Sequence, residues 1–242
     1  MQLYYLRHAE STNNRLFRLT GAEVGRSCDP ALTDLGRQQA ERLALFLAGA
    51  SAAPAPDGTD PQNRAGFGLT HLYCSLMERA VATGTVLAGR LGLPLRAWAD
   101  WHEEGGVILA DPVTGEVVGQ PGHNRAWFAE HYPALDLPAD LGAAGWWNNR
   151  PLEPAADRLA RARRVLAELY ARHGGTADRV GIVSHGGFIN HLITALCGQA
   201  APLPVGHLLN NCSITRIDFQ ADSRAEIIYQ NRVDFLSAEQ IT

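Results

Sequence analysis

Arg7-His8, Arg79 and His185 are the side chains in this sequence best suited to holding an anion and attacking it, and each lies at or just beyond the end of a short apolar run. Arg7 and His8 close LYYL at the chain's start. Arg79 opens the helical stretch after LTHLYCS, and His185 ends VGIVSH immediately before Gly186 and Gly187. Two guanidiniums and the N–H groups of a helix start neutralise a dianionic phosphoryl group. An imidazole held against that group can take it up as phosphohistidine, replacing one hard displacement with two easier transfers. The leaving oxygen then needs a proton. In ADWHEEGG, Glu103 and Glu104 follow a short strand, and either carboxylate suits the task of acid and then base. The scheme calls for no metal and no organic cofactor.

These groups act together only if the elements carrying them share an edge. Apolar alternation predicts strands at 2–7, 69–74, 94–98, 179–184, 213–219 and 225–230, and helices at about 33–49, 77–91, 153–173 and 187–197. This is an α/β pattern. In an open parallel sheet the carboxyl ends of the strands lie on one side, where ligands bind. Arg7, His8, Arg79 and His185 all fall at such ends. Thr33 is a fitting cap for the first of the predicted helices and Gly49 a fitting stop. Each residue alone also has a plain structural reading: His185 as a hydrogen-bonded core histidine, Arg79 paired with Glu78 on a solvated helix, the two glutamates as a surface turn.

Composition narrows the function classes. The 242 residues are 46% hydrophobic with a net charge of −4, which fits a folded globular chain and gives no nucleic-acid tract or polybasic membrane anchor. All 21 basic residues are arginine, so amine nucleophiles, Schiff bases and a P-loop lysine are excluded, and anion binding falls to guanidinium. The four cysteines are far apart and form no CxxC pair, which speaks against a zinc site or disulfide framework and for a reducing cytoplasm. No signal peptide or membrane span is expected.

Two irregular stretches remain. Residues 51–68, rich in Ala, Pro, Gly and Asp, read as an exposed loop within a single domain spanning 1–242. Residues 104–151 hold Trp127, Trp146 and Trp147 beside Arg125 and Arg150. They suit a lid over a site, and equally an excursion anchored to the core by its aromatics. As a lid, they would place Arg125 or Arg150 on the non-transferred part of an anionic substrate.

LRHAES with Asn14, DPALTDLGRQQA, YCSLMERAVATG and VSHGGFI, in that order, resemble the histidine phosphatase superfamily, which includes cofactor-dependent phosphoglycerate mutases and many small phosphatases. NCSITRIDF resembles the strand that follows in that family. The resemblance covers almost the whole chain and implies a three-layer α/β/α sandwich around a mostly parallel sheet. It implies His8 as the phosphorylated nucleophile, Arg7, Arg79 and His185 as phosphoryl ligands, and Asn14, Thr20 and the Gly186 amide as further phosphate contacts. It aligns Glu103 rather than Glu104 with the proton donor. Ala9 stands where glycine is commoner.

The family's mutases carry a longer lid with a Lys/Arg-rich clamp, which this lysine-free chain matches poorly. Hydrolysis of a small phosphorylated metabolite is therefore the expected activity. A phosphoglycerate mutase, or a phosphate-binding module without catalysis, is the alternative. A homodimer is compatible with this reading; nucleic-acid and membrane partners are not expected.

Overall fold

The computed structural model describes residues 1–21, 25–49, 60–111, 113–220 and 224–242. The first strand, β1 (Gln2–Arg7), alternates its side chains between two cores. Tyr4 and Leu6 face α2 (Asp34–Ala48) and α3 (Glu78–Leu91), packing with Leu43, Leu47, Val81 and Leu87. Leu3 and Tyr5 face α5 (Ala155–His173) and α6 (Phe188–Leu196), packing with Val165, Leu169, Ile189 and Leu192. A strand buried on both faces reads as an unbroken apolar run because helices cover both sides of its sheet.

The sheet has seven strands. From one edge they are β6 (Leu135–Asp136), β3 (Leu95–Ala97), β2 (His71–Cys74), β7 (Arg179–Ser184), β1, β8 (Ile214–Phe219) and β9 (Ala225–Arg232). Neighbours from β6 to β1 run parallel, and β8 is antiparallel to both β1 and β9. The fold is thus the expected α/β sandwich around a mostly parallel sheet. Arg7 registers with Ser184, and Cys74 with Val183, so three strand ends stop level with one another. His8 N–H donates to Ser184 O (3.0 Å) and Ser75 N–H to Val183 O (3.1 Å), which carries the alignment one residue further.

Helix α2 starts where Thr33 accepts from Gly36 N–H (2.9 Å). Helix α1 (Thr12–Thr20) escapes the apolar-period reading because it is short and mostly polar; Ser11 and Asn14 cap it reciprocally.

The described parts of both irregular stretches make core contacts. Of the predicted exposed loop, residues 51–59 lie outside the described residues. Residues 60–68 run without helix or strand and are partly exposed, but Asn63 and Phe67 are buried, and Phe67 packs edge-on against Tyr4 and Phe46. Residues 104–151 form a hairpin, β4 (Ile108–Ala110) with β5 (Val117–Gly119), then α4 (Arg125–His131), then edge strand β6. Its tryptophans serve as anchors. Trp146 and Trp147 join the core, and the Trp147 ring lies where a Cβ at Gly106 would stand, 2.1 Å from the nearest ring atom. No helix among the described residues is long and apolar enough to cross a membrane.

Candidate active site

The level strand ends bring His8, Arg7, Arg79 and His185 together, and all four are buried or nearly so. His8 follows β1. Its Nδ1–H donates to Ala9 O (2.7 Å), which leaves the Nε2 lone pair to accept from Arg79 Nε (3.0 Å). Burial, then Arg79 and Arg7, holds the His8 imidazole well below its ordinary pKa. It is therefore the neutral, lone-pair-bearing form that faces the guanidiniums.

His185 stands against it with ring centroids 5.1 Å apart. Ser75, at the end of β2, shares a 2.7 Å hydrogen bond with His185 Nε2 and accepts from Met77 N–H. The Ser75 hydroxyl proton has no other acceptor among the described residues, so it donates to Nε2, and the proton of a neutral His185 sits on Nδ1. That Nδ1 and the Nε of Arg7 are buried and make no hydrogen bond within the described residues. Buried donors of this kind are rare and costly unless an acceptor reaches them. Burial also lowers the Arg7 and Arg79 pKa values, since each guanidinium is largely withdrawn from water.

Glu103 and Glu104 occupy different environments. The Glu103 carboxylate accepts from Gly187 N–H (3.1 Å) and Phe188 N–H (2.9 Å) at the start of α6, and from Glu104 N–H (2.9 Å). A Cβ at Gly187 would meet Glu103 Oε1 at 2.7 Å, so glycine there admits the carboxylate. Glu104 pairs with His191 Nε2 (2.8 Å) and Arg158 (3.0 Å), contacts that lower its pKa. Both glutamates line a cavity of about 960 Å³ that also takes in Arg7, His8, Asn14 and Arg79.

The sequence pattern known as the histidine phosphatase superfamily (branch 1) matches residues 3–56 and 61–231. The chain belongs to the histidine phosphatase superfamily. Solved structures share its fold from end to end. A mycobacterial glucosyl-3-phosphoglycerate phosphatase in complex with VO3 is 22% identical, with 96% of this chain and 99% of that one covered at a TM-score of 0.58. A phosphoserine phosphatase from Entamoeba histolytica, in complex with 3-phosphoglyceric acid, is 19% identical over 98% and 99% at 0.60. Bacillus stearothermophilus YhfR is 21% identical over 97% and 98% at 0.59. No curated protein matches the sequence.

Several contacts expected from the sequence fall elsewhere. Thr20 is exposed near the end of α1 with its hydroxyl donating to Leu16 O (2.7 Å), and it does not line the cavity; helix geometry turns it away. Arg125 is spent on Leu141 O (2.9 Å) and Pro138 O, closing the loop after α4. Arg150 stacks over Trp147 at 3.9 Å and donates to its carbonyl. Neither arginine lines the cavity. Asn14 does, although its Oδ1 serves Ser11 (2.9 Å). Gly186 packs beside Arg7, whose Nε would lie 3.2 Å from a Cβ there.

Other residues hold the site and were not singled out from sequence. The Tyr5 hydroxyl donates to His185 O (2.6 Å) and accepts from His185 N–H (3.2 Å), fixing that turn to β1. Asn211 Nδ2 donates to His8 O (2.9 Å). Asp29 accepts from Glu78 N–H (3.0 Å) and lies 3.8 Å from Arg79. Tyr5 sits inside an apolar strand and Asn211 in a loop two hundred residues away, so neither position carries a local signal.

Proposed function

We propose that this chain is a phosphomonoester hydrolase working through a phosphohistidine at His8. The observation that carries the reading is the cluster at the strand ends: His8 Nε2, whose lone pair accepts from Arg79 Nε, with the His185 ring 5.1 Å away, and buried donors on Arg7 Nε and His185 Nδ1 that have no hydrogen-bond partner among the described residues. A phosphoryl group placed there meets a nucleophile on phosphorus and cationic or N–H donors on its oxygens. His8 Nε2 bonds to phosphorus as the ester P–O bond breaks, and Glu103 gives its proton to the departing alkoxide. Water then attacks phosphorus, Glu103 takes the water's proton, and the P–N bond breaks to release phosphate. Family membership supports the reading, as do phosphatases among the structural neighbours.

Rapid quenching during turnover of a radiolabelled ester should trap an acid-labile, alkali-stable phosphoprotein that His8→Ala does not form. Phosphate, and not an isomerised ester, should accumulate. An acid-stable adduct, or equal labelling of His8→Ala, would overturn the assignment.

A further inference from the structure

The lining beyond the histidine–arginine cluster has a chemistry of its own. Phosphate fills a small part of about 960 Å³, a size within the range of about 300–1,000 Å³ that takes drug-sized molecules. The rest of the wall includes Phe17 from α1, Cys28, Met77, and Ile108, Leu109 and Val117 from the β4–β5 hairpin. Phe17 is 57% exposed and Val117 41% exposed, so these two side chains present apolar surface that the core does not consume, whereas Met77 belongs to the core.

Charge points the same way. Among the described residues, Arg26 is the sole cation that the lining adds to Arg7 and Arg79, while the same lining carries three carboxylates, Glu103, Glu104 and Asp111. Glu104 is itself matched by Arg158 and His191. The residues outside the description contain no arginine, and the chain contains no lysine. Arg125 and Arg150, the basic residues of the 104–151 stretch, are both committed elsewhere and do not line the cavity.

Resting on the hydrolase reading above, we infer that the leaving group of the substrate is bulky, apolar and uncharged: the site takes phosphomonoesters of hydrophobic alcohols in preference to phosphorylated acids. Phosphoserine and 3-phosphoglycerate bring a carboxylate to a wall that offers it little counter-charge and much hydrocarbon. An alkyl or aryl group on the same wall gains by burial, by up to about fourfold in affinity per methylene removed from water.

Binding separates this inference from the catalytic one. Methylphosphonate, propylphosphonate, hexylphosphonate and 4-phosphonobutyrate share a non-transferable phosphonate head and differ in the group that follows it. Titration calorimetry should show hexylphosphonate binding at least tenfold more tightly than methylphosphonate, and 4-phosphonobutyrate more weakly than propylphosphonate. Phe17→Ala and Val117→Ser, both at exposed positions, should narrow the hexyl-to-methyl ratio at least threefold. Val117→Arg should move 4-phosphonobutyrate ahead of propylphosphonate. Equal affinities along the alkyl series, or tighter binding of the carboxylated ligand to the unsubstituted protein, would overturn the inference even if esters are hydrolysed. Retention of the alkyl preference in a protein that never labels His8 would instead leave the apolar site standing and remove the hydrolase reading.

Discussion

His8 and His185 carry their protons on the same ring nitrogen for opposite purposes. In His8 the Nδ1 proton is tied to Ala9, so Nε2 attacks; in His185 Ser75 occupies Nε2, so Nδ1 donates. Arg7, His8, Arg79 and His185 were legible because each is a chemically distinctive residue at an apolar strand end. The partners that set the tautomers are an alanine carbonyl and a serine, which carry no such mark. Glu103 was distinguished from Glu104 through resemblance, and the geometry separates the two physically. Glu103→Gln should slow phosphoenzyme formation severely with alkyl phosphates and mildly with p-nitrophenyl phosphate, whose phenolate leaves without a proton. Glu104→Gln should not depend on leaving-group basicity, because Arg158 and His191 engage that carboxylate. Rapid-quench rates on both substrates decide it; exchanged phenotypes would transfer the role to Glu104. Asp29 provides a pH test. Burial raises its pKa from 3.8 to about 6 against the opposing pull of Arg79 and His123. A raised carboxyl pKa means the folded protein holds the proton more tightly, so this contribution is present below about pH 4 and is lost as pH rises through 6. The loss is on the order of 3 kcal/mol. Urea midpoints at pH 4 and pH 7.5 should therefore fall less with rising pH in Asp29→Asn than in the unsubstituted protein.

Elements bring these residues within reach by close backbone approach. The start of α2 presses on the segment after β1: a Cβ at Gly36 would stand 2.1 Å from Glu10 O, and Thr33 bonds the Glu10 side chain (2.8 Å). The buried Glu10 also receives Arg18 from α1 (2.9 Å), so one carboxylate ties both helices to the turn that carries His8. Gly36→Ala must displace backbone and should cost on the order of 2 kcal/mol or more. Gly89→Ala, in α3 with no atom within 4 Å of the new Cβ, should stabilise by about 0.5–1 kcal/mol. Chemical denaturation of the pair tests whether the close approach, and not glycine loss as such, governs the first. Six of the sheet's seven strands, all but β6, and helices α2, α3, α5 and α6 were readable to within a residue or two from apolar periodicity. Helix α1, α4 and the β4–β5 hairpin were not, since short elements held by caps and by packing on distant tryptophans leave little period to read.

At the scale of the whole molecule, the sandwich buries two arginines beside neutral imidazoles, an arrangement that disfavours the unliganded fold and favours an anion. Arg7 shows the conflict most clearly: it is buried, its Nε lacks a partner, and Arg79 adds like charge nearby. An oxyanion in the site relieves this and should stabilise the fold by mass action. Phosphate at a hundred times its Kd contributes about 2.7 kcal/mol, which for a chain of this length corresponds to a Tm rise of about 5–10 °C. Arg7→Met keeps much of the side-chain volume and removes the charge. Its unliganded Tm should equal or exceed that of the unsubstituted protein, and the phosphate-induced rise should largely disappear. Differential scanning fluorimetry across a phosphate series reads both quantities. A variant that melts several degrees lower yet keeps the full phosphate response would make Arg7 a structural residue bound to Leu209 O, and would pass the recognition of the anion to Arg79 and His185.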